Sequence, residues 1–292
     1  MDWQPVCDQR FKLAEGPFWD AIQGSLYWVD IAGFRALRLH QGQVRHWQFN
    51  EPVSAFIPTI AGDALVTLAS GVYRLNLESH ADEPALSLLC VADPVTGNRA
   101  NEARCDSRGR LWLGSMQNNL DAQGADLPLE RRSGGLFRVD GDAQVTPLLQ
   151  GQGIVNTLLW ADDDSTLLTA DSLDGVIYRY SIQADGALGE RRIWAARHVR
   201  GVPDGSAMDA QGYVWNARWG GHCLIRFAPD GSVDRIVEVP LSHPTSCVFG
   251  GPDMTTLFVT SARPASDALE LDGCVIRVET GIRGLASNRF AG

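Results

Sequence analysis

The sequence predicts an all-β fold with the architecture of a six-bladed β-propeller. A short apolar segment after a turn occurs six times, and each copy is followed by an arginine between two apolar residues. The first set is aligned on Leu26, Leu65, Leu111, Leu167, Val214 and Leu257, and the second on Arg38, Arg74, Arg138, Arg179, Arg226 and Arg277. Both sets alternate with the period of strands, which predicts one face in a core and the arginine on the other face.

Repeats of about 40 to 50 residues with roughly four strands each are what a propeller requires, because one blade buries its faces only when neighbours stack on it. A large β-sandwich is the alternative, but it would not show such regular recurrence. We therefore expect residues 1–292 to form a single propeller domain. The longest interval between repeats includes residues 117–133, which we expect to form a long loop over one end of the propeller.

The chain carries 35 acidic and 25 basic residues, a formal net charge of −10. This balance argues against a nucleic-acid or anionic-membrane surface and is compatible with a cation site or a neutral substrate. Residues 1–10 contain no apolar run typical of a secretory signal, and no window approaches the roughly 18 apolar residues of a membrane span. The six cysteines stand singly, as expected of small buried residues in a reducing compartment. We therefore expect a cytoplasmic protein.

Several polar residues stand at a shared distance, roughly 8 to 11 residues, ahead of the repeat strands. They are Glu15, Arg99, Asn101, Asn156 and Asp204. Innermost strands of a propeller line a central channel, so we expect the turns that precede them to converge at one end of it. Pro203-Asp204-Gly205 has the composition of a tight turn that would hold the Asp204 carboxylate at a fixed point. Taken singly, each residue would be an ordinary loop residue, and the shared offset is what favours a site.

Three of these residues have the donor atoms that a hard divalent cation prefers. Glu15 and Asp204 offer carboxylates and Asn156 an amide carbonyl, an all-oxygen set suited to Ca²⁺, Mg²⁺ or Mn²⁺. Without a cation, two carboxylates facing each other in a channel would repel, and one would tend to bind a proton. The sequence contains no Gly-x-Ser-x-Gly elbow, no phosphate loop and no Ser/His/Asp spacing around its six histidines.

Short motifs also follow one another along the chain in a recognisable order. They are Glu15-Gly-Pro17, Arg99-Ala-Asn101-Glu102, Asn156-Thr157 with Asp171-Ser172-Leu173, and Pro203-Asp204-Gly205 with Asp209-x-x-Gly212-x-Val-Trp215. In order and spacing this series resembles the gluconolactonase or regucalcin family, also called senescence marker proteins. The resemblance extends from about Phe11 to Val278, and the family's fold, a six-bladed propeller, agrees with the repeat count.

The resemblance implies roles for six residues and one divalent metal ion, which could be Ca²⁺, Mg²⁺, Mn²⁺, Zn²⁺ or Fe²⁺. The implied metal ligands are Glu15, Asn156 and Asp204, and the implied sugar-binding residues are Arg99, Asn101 and Glu102. Asp204 is also the implied general base. The chain departs from the family at two places beside the sugar pocket: Glu102-Ala103 replaces a common Asp-Gly pair, and residues 117–119 lack acidic groups found in many members. Both departures leave the identity of the sugar open.

The hypothesis that follows from this resemblance is metal-dependent hydrolysis of an aldonolactone to the aldonic acid. The metal would polarise the lactone carbonyl, and either Asp204 or the metal would activate the attacking water. An esterase or phosphotriesterase at the same site is one alternative, because similar propellers resemble organophosphatases and paraoxonases. A non-catalytic calcium-binding propeller is another. We expect a small sugar lactone as partner, no nucleic acid or membrane, and a monomer or weak homo-oligomer.

Overall fold

The computed structural model describes residues 1–161 and 164–292, and in this part of the chain the regular structure is 24 β-strands in six four-stranded sheets. The first thirteen strands in sequence are β1 (Gln4–Pro5), β2 (Ala14–Asp20), β3 (Ser25–Asp30), β4 (Arg35–His40), β5 (Gln43–Gln48), β6 (Val53–Pro58), β7 (Ala64–Leu68), β8 (Gly71–Leu75), β9 (Leu86–Cys90), β10 (Asn98–Cys105), β11 (Leu111–Gln117), β12 (Gly134–Val139) and β13 (Val145–Gln152). Within the same residues, no helix is long and apolar enough to cross a membrane.

The remaining strands follow the same spacing. They are β14 (Val155–Ala161), β15 (Thr166–Asp171), β16 (Val176–Ile182), β17 (Leu188–Ala195), β18 (Val202–Met208), β19 (Val214–Trp219), β20 (Cys223–Phe227), β21 (Val233–Glu238), β22 (Pro244–Gly250), β23 (Thr256–Ser261) and β24 (Ile276–Glu279). Five sheets each contain four consecutive strands, beginning with β2, β6, β10, β14 and β18. In the sixth sheet β1 pairs with β24, beside β23 and β22. The first and the last strands of the chain therefore share one blade, and this pairing closes the ring.

The first strand of each blade lies innermost. The strands β2, β6, β10, β14, β18 and β22 each pack against the corresponding strands of both neighbouring blades, and together they surround a central channel. The predicted six-bladed β-propeller is therefore confirmed. The prediction of which strands line the channel is wrong, because the aligned apolar segments form the second strands and the arginine segments form the third.

The arginine of the fifth blade also departs from the predicted outward position. Arg226 on β20 is 3% exposed, and its Nη2 donates to Asp209 Oδ2 at 2.7 Å. The same oxygen accepts the indole N–H of Trp215, on β19, at 3.0 Å. A buried guanidinium is stable here because a buried carboxylate accepts its hydrogen bonds. Asp209 follows β18 directly, so this cluster joins three strands of one blade.

Residues 118–133 connect β11 to β12 at the end of the channel where the innermost strands begin. Gln117 Oε1 accepts hydrogen bonds from the backbone amides of Glu130 and Arg131 at 2.9 and 2.7 Å. The carbonyl of Gln123 accepts from Lys12 Nζ at 2.9 Å. The connection is thus fixed both at its base and in its middle.

The segment after β24 crosses the opposite end of the channel. Its contacts pair Gly284 with Asp209, Asn288 with Cys105, Arg289 with Asp20 and Phe290 with Pro58. Each partner lies at the end of an innermost strand or directly after it. The C-terminal segment therefore covers this end of the channel and contacts the ends of innermost strands from four blades.

Candidate active site

Each of the six innermost strands is interrupted by a β-bulge close to its first residue. The register with the second strand shifts between Glu15 and Phe18, Val53 and Ala55, Ala100 and Glu102, Asn156 and Leu159, Pro203 and Ser206, and Pro244 and Ser246. A bulge leaves a residue unpaired and takes its side chain out of the regular alternation. Bulges at corresponding positions of all six strands can therefore direct several polar groups into the mouth of the channel.

Asp204 lies in such a bulge and not in a turn. Pro203, Asp204 and Gly205 belong to β18, so the prediction of a tight turn ahead of the innermost strand is wrong. A tight turn and a β-bulge both require irregular backbone, so the Pro-Asp-Gly composition suits either structure. Gly205 is needed for close packing, because a Cβ there would lie 2.0 Å from Ser246 Oγ on β22. The other predicted site residues also lie on innermost strands: Glu15 on β2, Arg99, Asn101 and Glu102 on β10, and Asn156 on β14.

Glu15 and Asp204 form a buried pair of carboxyl groups, with 8% and 6% of their surfaces exposed. The two groups are within hydrogen-bonding distance of each other. Burial, together with the charge of Glu102, raises the pKa of Glu15 to about 8. Burial and the charges of Glu15 and Glu102 raise the pKa of Asp204 well above its ordinary value. Without a cation, this pair therefore retains protons that exposed carboxyl groups would have lost.

The side-chain amide of Asn156 is held in one orientation. Its Nδ2 donates to Ser172 Oγ at 2.9 Å, which turns Oδ1 towards the preceding blade. There Oδ1 accepts from Asn101 Nδ2 at 3.1 Å. The following residue, Thr157, has a left-handed φ of 53°, as the bulge requires. A carbonyl oxygen has two lone pairs, so Asn156 Oδ1 retains one for a further ligand.

The backbone of Asp204 is fixed by polar neighbours that the sequence interpretation did not select. Thr157 Oγ1 and Asn216 Nδ2 donate to the Asp204 carbonyl at 2.5 and 3.0 Å. Arg218 Nη1 in turn donates to Asn216 Oδ1 at 3.0 Å, and burial lowers the pKa of this arginine to about 10. The sequence of β19 could have indicated Asn216 and Arg218, because these two polar residues alternate with apolar ones at buried positions of the strand.

Arg99 connects the sugar-binding residues implied by the resemblance. Its Nη1 donates to Asn101 Oδ1 at 3.0 Å and its Nη2 donates to Asn119 Oδ1 at 2.9 Å. The side chain is 3% exposed, and its Nε has no hydrogen-bond partner among the described residues. Burial lowers the pKa of Arg99 to about 10, while the charge of Glu15 opposes this shift. Arg99 therefore remains a cation with an unused N–H donor beside the carboxyl pair.

Glu102 has a different environment from Arg99 and Asn101. Its Oε1 accepts from Arg104 Nε at 3.3 Å, and both residues line a cavity of about 320 Å³ within the channel. Burial raises the pKa of Glu102, and the adjacent Arg104 charge opposes that shift. The structure thus connects Arg99 and Asn101 by a direct hydrogen bond, whereas it pairs Glu102 with an arginine inside the channel.

The donor set at the mouth fits a hard divalent cation. Glu15, Asp204 and Asn156 supply two carboxylates and one amide oxygen, and a cation between the carboxylates would remove the repulsion that raises their pKa values. Among the described residues there is no group of three or more His, Cys, Asp or Glu side chains placed to hold a metal. A cation at this site would therefore depend on the amide oxygen of Asn156 as its third protein ligand.

Comparison with known proteins identifies the family. Residues 13–263 match the family model described as the SMP-30/Gluconolactonase/LRE-like region. The chain belongs to this family. It is 32% identical to the 6-deoxy-6-sulfogluconolactonase of Pseudomonas putida, a match that covers 98% of each chain. It is also 32% identical to the L-arabinolactonase of Azospirillum brasilense, over 98% of this chain and 95% of that protein.

A solved structure agrees with the fold over nearly the whole chain. The calcium-binding protein regucalcin from Agrobacterium tumefaciens superposes with a TM-score of 0.89 at 25% identity, covering 99% of this chain and 97% of that one. The family predicted from the motifs is thus confirmed, together with its six-bladed fold. The predicted enzyme class, a hydrolase acting on carboxylic ester bonds, is confirmed at the level of the family by the relatives named as lactonases.

Proposed function

We propose that this protein hydrolyses a sugar lactone to the aldonic acid, using one divalent cation held by Glu15, Asn156 and Asp204. The observation that supports this function best is the buried carboxyl pair, which lies beside a buried arginine with an unused donor. The relatives named for lactone hydrolysis support the same reaction. When bound, a cation at this site would supply Lewis-acid polarisation of the lactone carbonyl.

The protein's own residues would bind the substrate and accept a proton. Water attacks the lactone carbonyl carbon, the ring C–O bond breaks, and the ring oxygen becomes a hydroxyl group. Asp204, whose buried carboxylate lies at the channel mouth beside Glu15, accepts the proton that the attacking water loses and returns it to the ring oxygen as the C–O bond breaks. Asn101 Oδ1 keeps one lone pair that can accept a ring hydroxyl, and Arg99 fixes this oxygen through Nη1 and offers its unpaired Nε–H, so that the carbonyl meets the carboxylates.

The test is hydrolysis by metal-depleted protein to which one cation at a time is restored, with pentono- and hexonolactones beside aryl esters and phosphotriesters in a pH-stat. We expect hydrolysis of a sugar lactone that depends on the added cation. Asp204→Ala should lower kcat/KM by about 10²- to 10⁴-fold, because it removes both a ligand and the proton acceptor.

The matched control is Asp185→Ala, which removes an exposed carboxylate and should leave the rate unchanged. Full lactonase activity and cation affinity in Asp204→Ala would contradict the assignment of this residue. Faster turnover of the aryl esters or phosphotriesters than of any lactone would identify the esterase alternative. Calorimetric cation binding with no hydrolysis of any ester would identify a non-catalytic propeller.

A further inference from the structure

Two aromatic residues stand at the rim of the channel mouth, between the fifth and sixth blades. Trp219 ends β19 and is the register partner of Val202, which precedes Asp204 by two residues. His243 directly precedes β22 and lies two residues before Thr245, where the bulge of that strand begins. Two residues of a strand span about 6 to 7 Å, so Trp219 stands about one such step before the level of Asp204 and His243 about one such step before the bulge of β22.

The two rings contact each other edge to face. Their centroids are 4.8 Å apart, and the ring planes meet at 71°. Trp219 is 38% exposed, whereas Trp28, Trp112 and Trp215 are completely buried in the blades. A flat apolar face that remains open at the mouth of a polar channel is the surface on which the C–H face of a sugar packs well.

The tautomer of His243 follows from its hydrogen bonds. Asp272 is buried, and its oxygens accept from Ser242 N at 2.7 Å, Ser242 Oγ at 2.5 Å and Leu269 N at 2.7 Å. A carboxylate can only accept, so the hydrogen of the Ser242 hydroxyl is directed to Asp272. The contact of 2.8 Å between Ser242 Oγ and His243 Nδ1 must then use a hydrogen on Nδ1. This leaves Nε2 of the neutral ring as an acceptor.

The surroundings of His243 keep Nε2 neutral and available. Burial lowers the pKa of His243, the nearby Asp272 opposes this shift, and His222 adds to it. The neighbouring turn carries Gly220, and a Cβ built there would still lie 3.8 Å from Nε2. Within residues 1–161 and 164–292, neither His243 Nε2 nor Trp219 Nε1 has a hydrogen-bond partner. One acceptor and one donor are therefore unused at the rim.

We propose that Trp219 and His243 form a second subsite, which binds the hydroxylated arm of a neutral sugar lactone. A C–H face of the sugar packs on the indole, and a sugar hydroxyl donates a hydrogen bond to His243 Nε2. This subsite rests on the proposed function, since it recognises the part of the substrate that extends away from the lactone carbonyl. An unprotonated nitrogen presents a lone pair to the ligand, so the pair favours a hydroxyl donor over a phosphate or carboxylate.

The experiment compares kcat and KM for a polyhydroxylated sugar lactone and for an unsubstituted lactone of the same ring size. His243→Phe keeps an aromatic ring but removes the acceptor nitrogen Nε2, and Trp219→Leu removes the flat face of the indole. Each change should raise KM for the sugar lactone by about tenfold, the usual worth of one hydrogen bond or one aromatic contact, and change kcat far less. The effect on kcat/KM should be several times smaller with the unsubstituted lactone.

His80→Phe is the matched control, because this exposed histidine lies between β8 and β9 in the second blade, outside the proposed subsite. Melting temperatures of all variants must match the wild type, and His243→Gln, which retains an acceptor, should recover part of the lost affinity. Unchanged KM values in both His243→Phe and Trp219→Leu, with an active wild type, would overturn the subsite alone. A wild type that hydrolyses no lactone would overturn the proposed function and the subsite together.

Discussion

At the scale of single residues, the site is defined by which atoms are left without a partner. Ser172 fixes the side-chain amide of Asn156. The hydrogen bond from Asn101 uses only one of the two lone pairs on Asn156 Oδ1. Arg99 is bonded at both terminal nitrogens but not at Nε. Such fixed orientations allow a buried group to meet a ligand without first rearranging, which is the physical basis of preorganised binding.

The raised pKa values at the carboxyl pair predict how the cation-free protein responds to pH. Glu15 has a pKa of about 8 in the folded chain, so between pH 5 and pH 8 the folded state binds more protons than the unfolded state. Stability should therefore fall as pH rises through this window, by on the order of a few kcal/mol. Urea unfolding of metal-depleted protein at pH 5.5 and pH 8 measures this difference.

Two changes should remove most of this pH dependence. A saturating cation would replace the shared proton, and Glu15→Gln would remove one of the two carboxylates. A cation-free protein that is equally stable at both pH values, or more stable at pH 8, would contradict the raised pKa of this pair.

At the scale of the strand, the decisive elements are the six bulges. They interrupt the innermost strands near their first residues, and thereby place side chains from alternate and adjacent positions in the same channel mouth. The bulge of β18 also brings two neighbouring strands very close, since Gly205 leaves no space for a side chain beside Ser246.

Gly205→Ala is therefore expected to destabilise the protein by about 1 to 3 kcal/mol, because the added methyl group overlaps Ser246 Oγ. Cation affinity should fall with it, since Asp204 is the preceding residue. Urea unfolding and calorimetry measure the two effects. The double variant Gly205→Ala with Ser246→Gly should regain much of the loss, and failure of this rescue would show that contact with Ser246 is not the cause.

At the scale of the whole molecule, the ring and its C-terminal segment complete the channel. The ring closes through pairing of β1 with β24, and the segment from Gly284 to Phe290 joins the ends of innermost strands from four blades. Phe290 is fully buried in the core between the first blades, and its amide donates to the Pro58 carbonyl. The C-terminal segment therefore stabilises the ring at the end of the channel opposite to the candidate site.

Phe290→Ala is expected to reduce the free energy of unfolding by about 3 to 5 kcal/mol, the cost of a cavity where a buried aromatic ring stood. Leu285→Ala, a change to a residue of the same segment that is 49% exposed, should cost far less. Equal effects of the two substitutions in urea unfolding would mean that the segment does not depend on the burial of Phe290.

Much of this protein can be predicted from its sequence alone. The six repeats with their apolar alternation determined the fold class, because each blade has its own local pattern and all six must stack to bury it. The shared offset of Glu15, Asn156 and Asp204 selected residues that the structure places at corresponding bulges of three innermost strands. Similar offsets within repeats become neighbouring positions around a channel.

The tertiary structure decided what local patterns do not encode. A bulge is a mismatch between two strands, so Pro203-Asp204-Gly205 alone could not be distinguished from a turn. Burial of Arg226 depended on a carboxylate that another strand brings to it. The chain from Asp272 through Ser242 to His243 joins residues 30 positions apart, where the sequence shows no catalytic spacing. Side-chain orientation and the pairing of distant residues arise only when the ring closes, and these set the chemistry of the channel mouth.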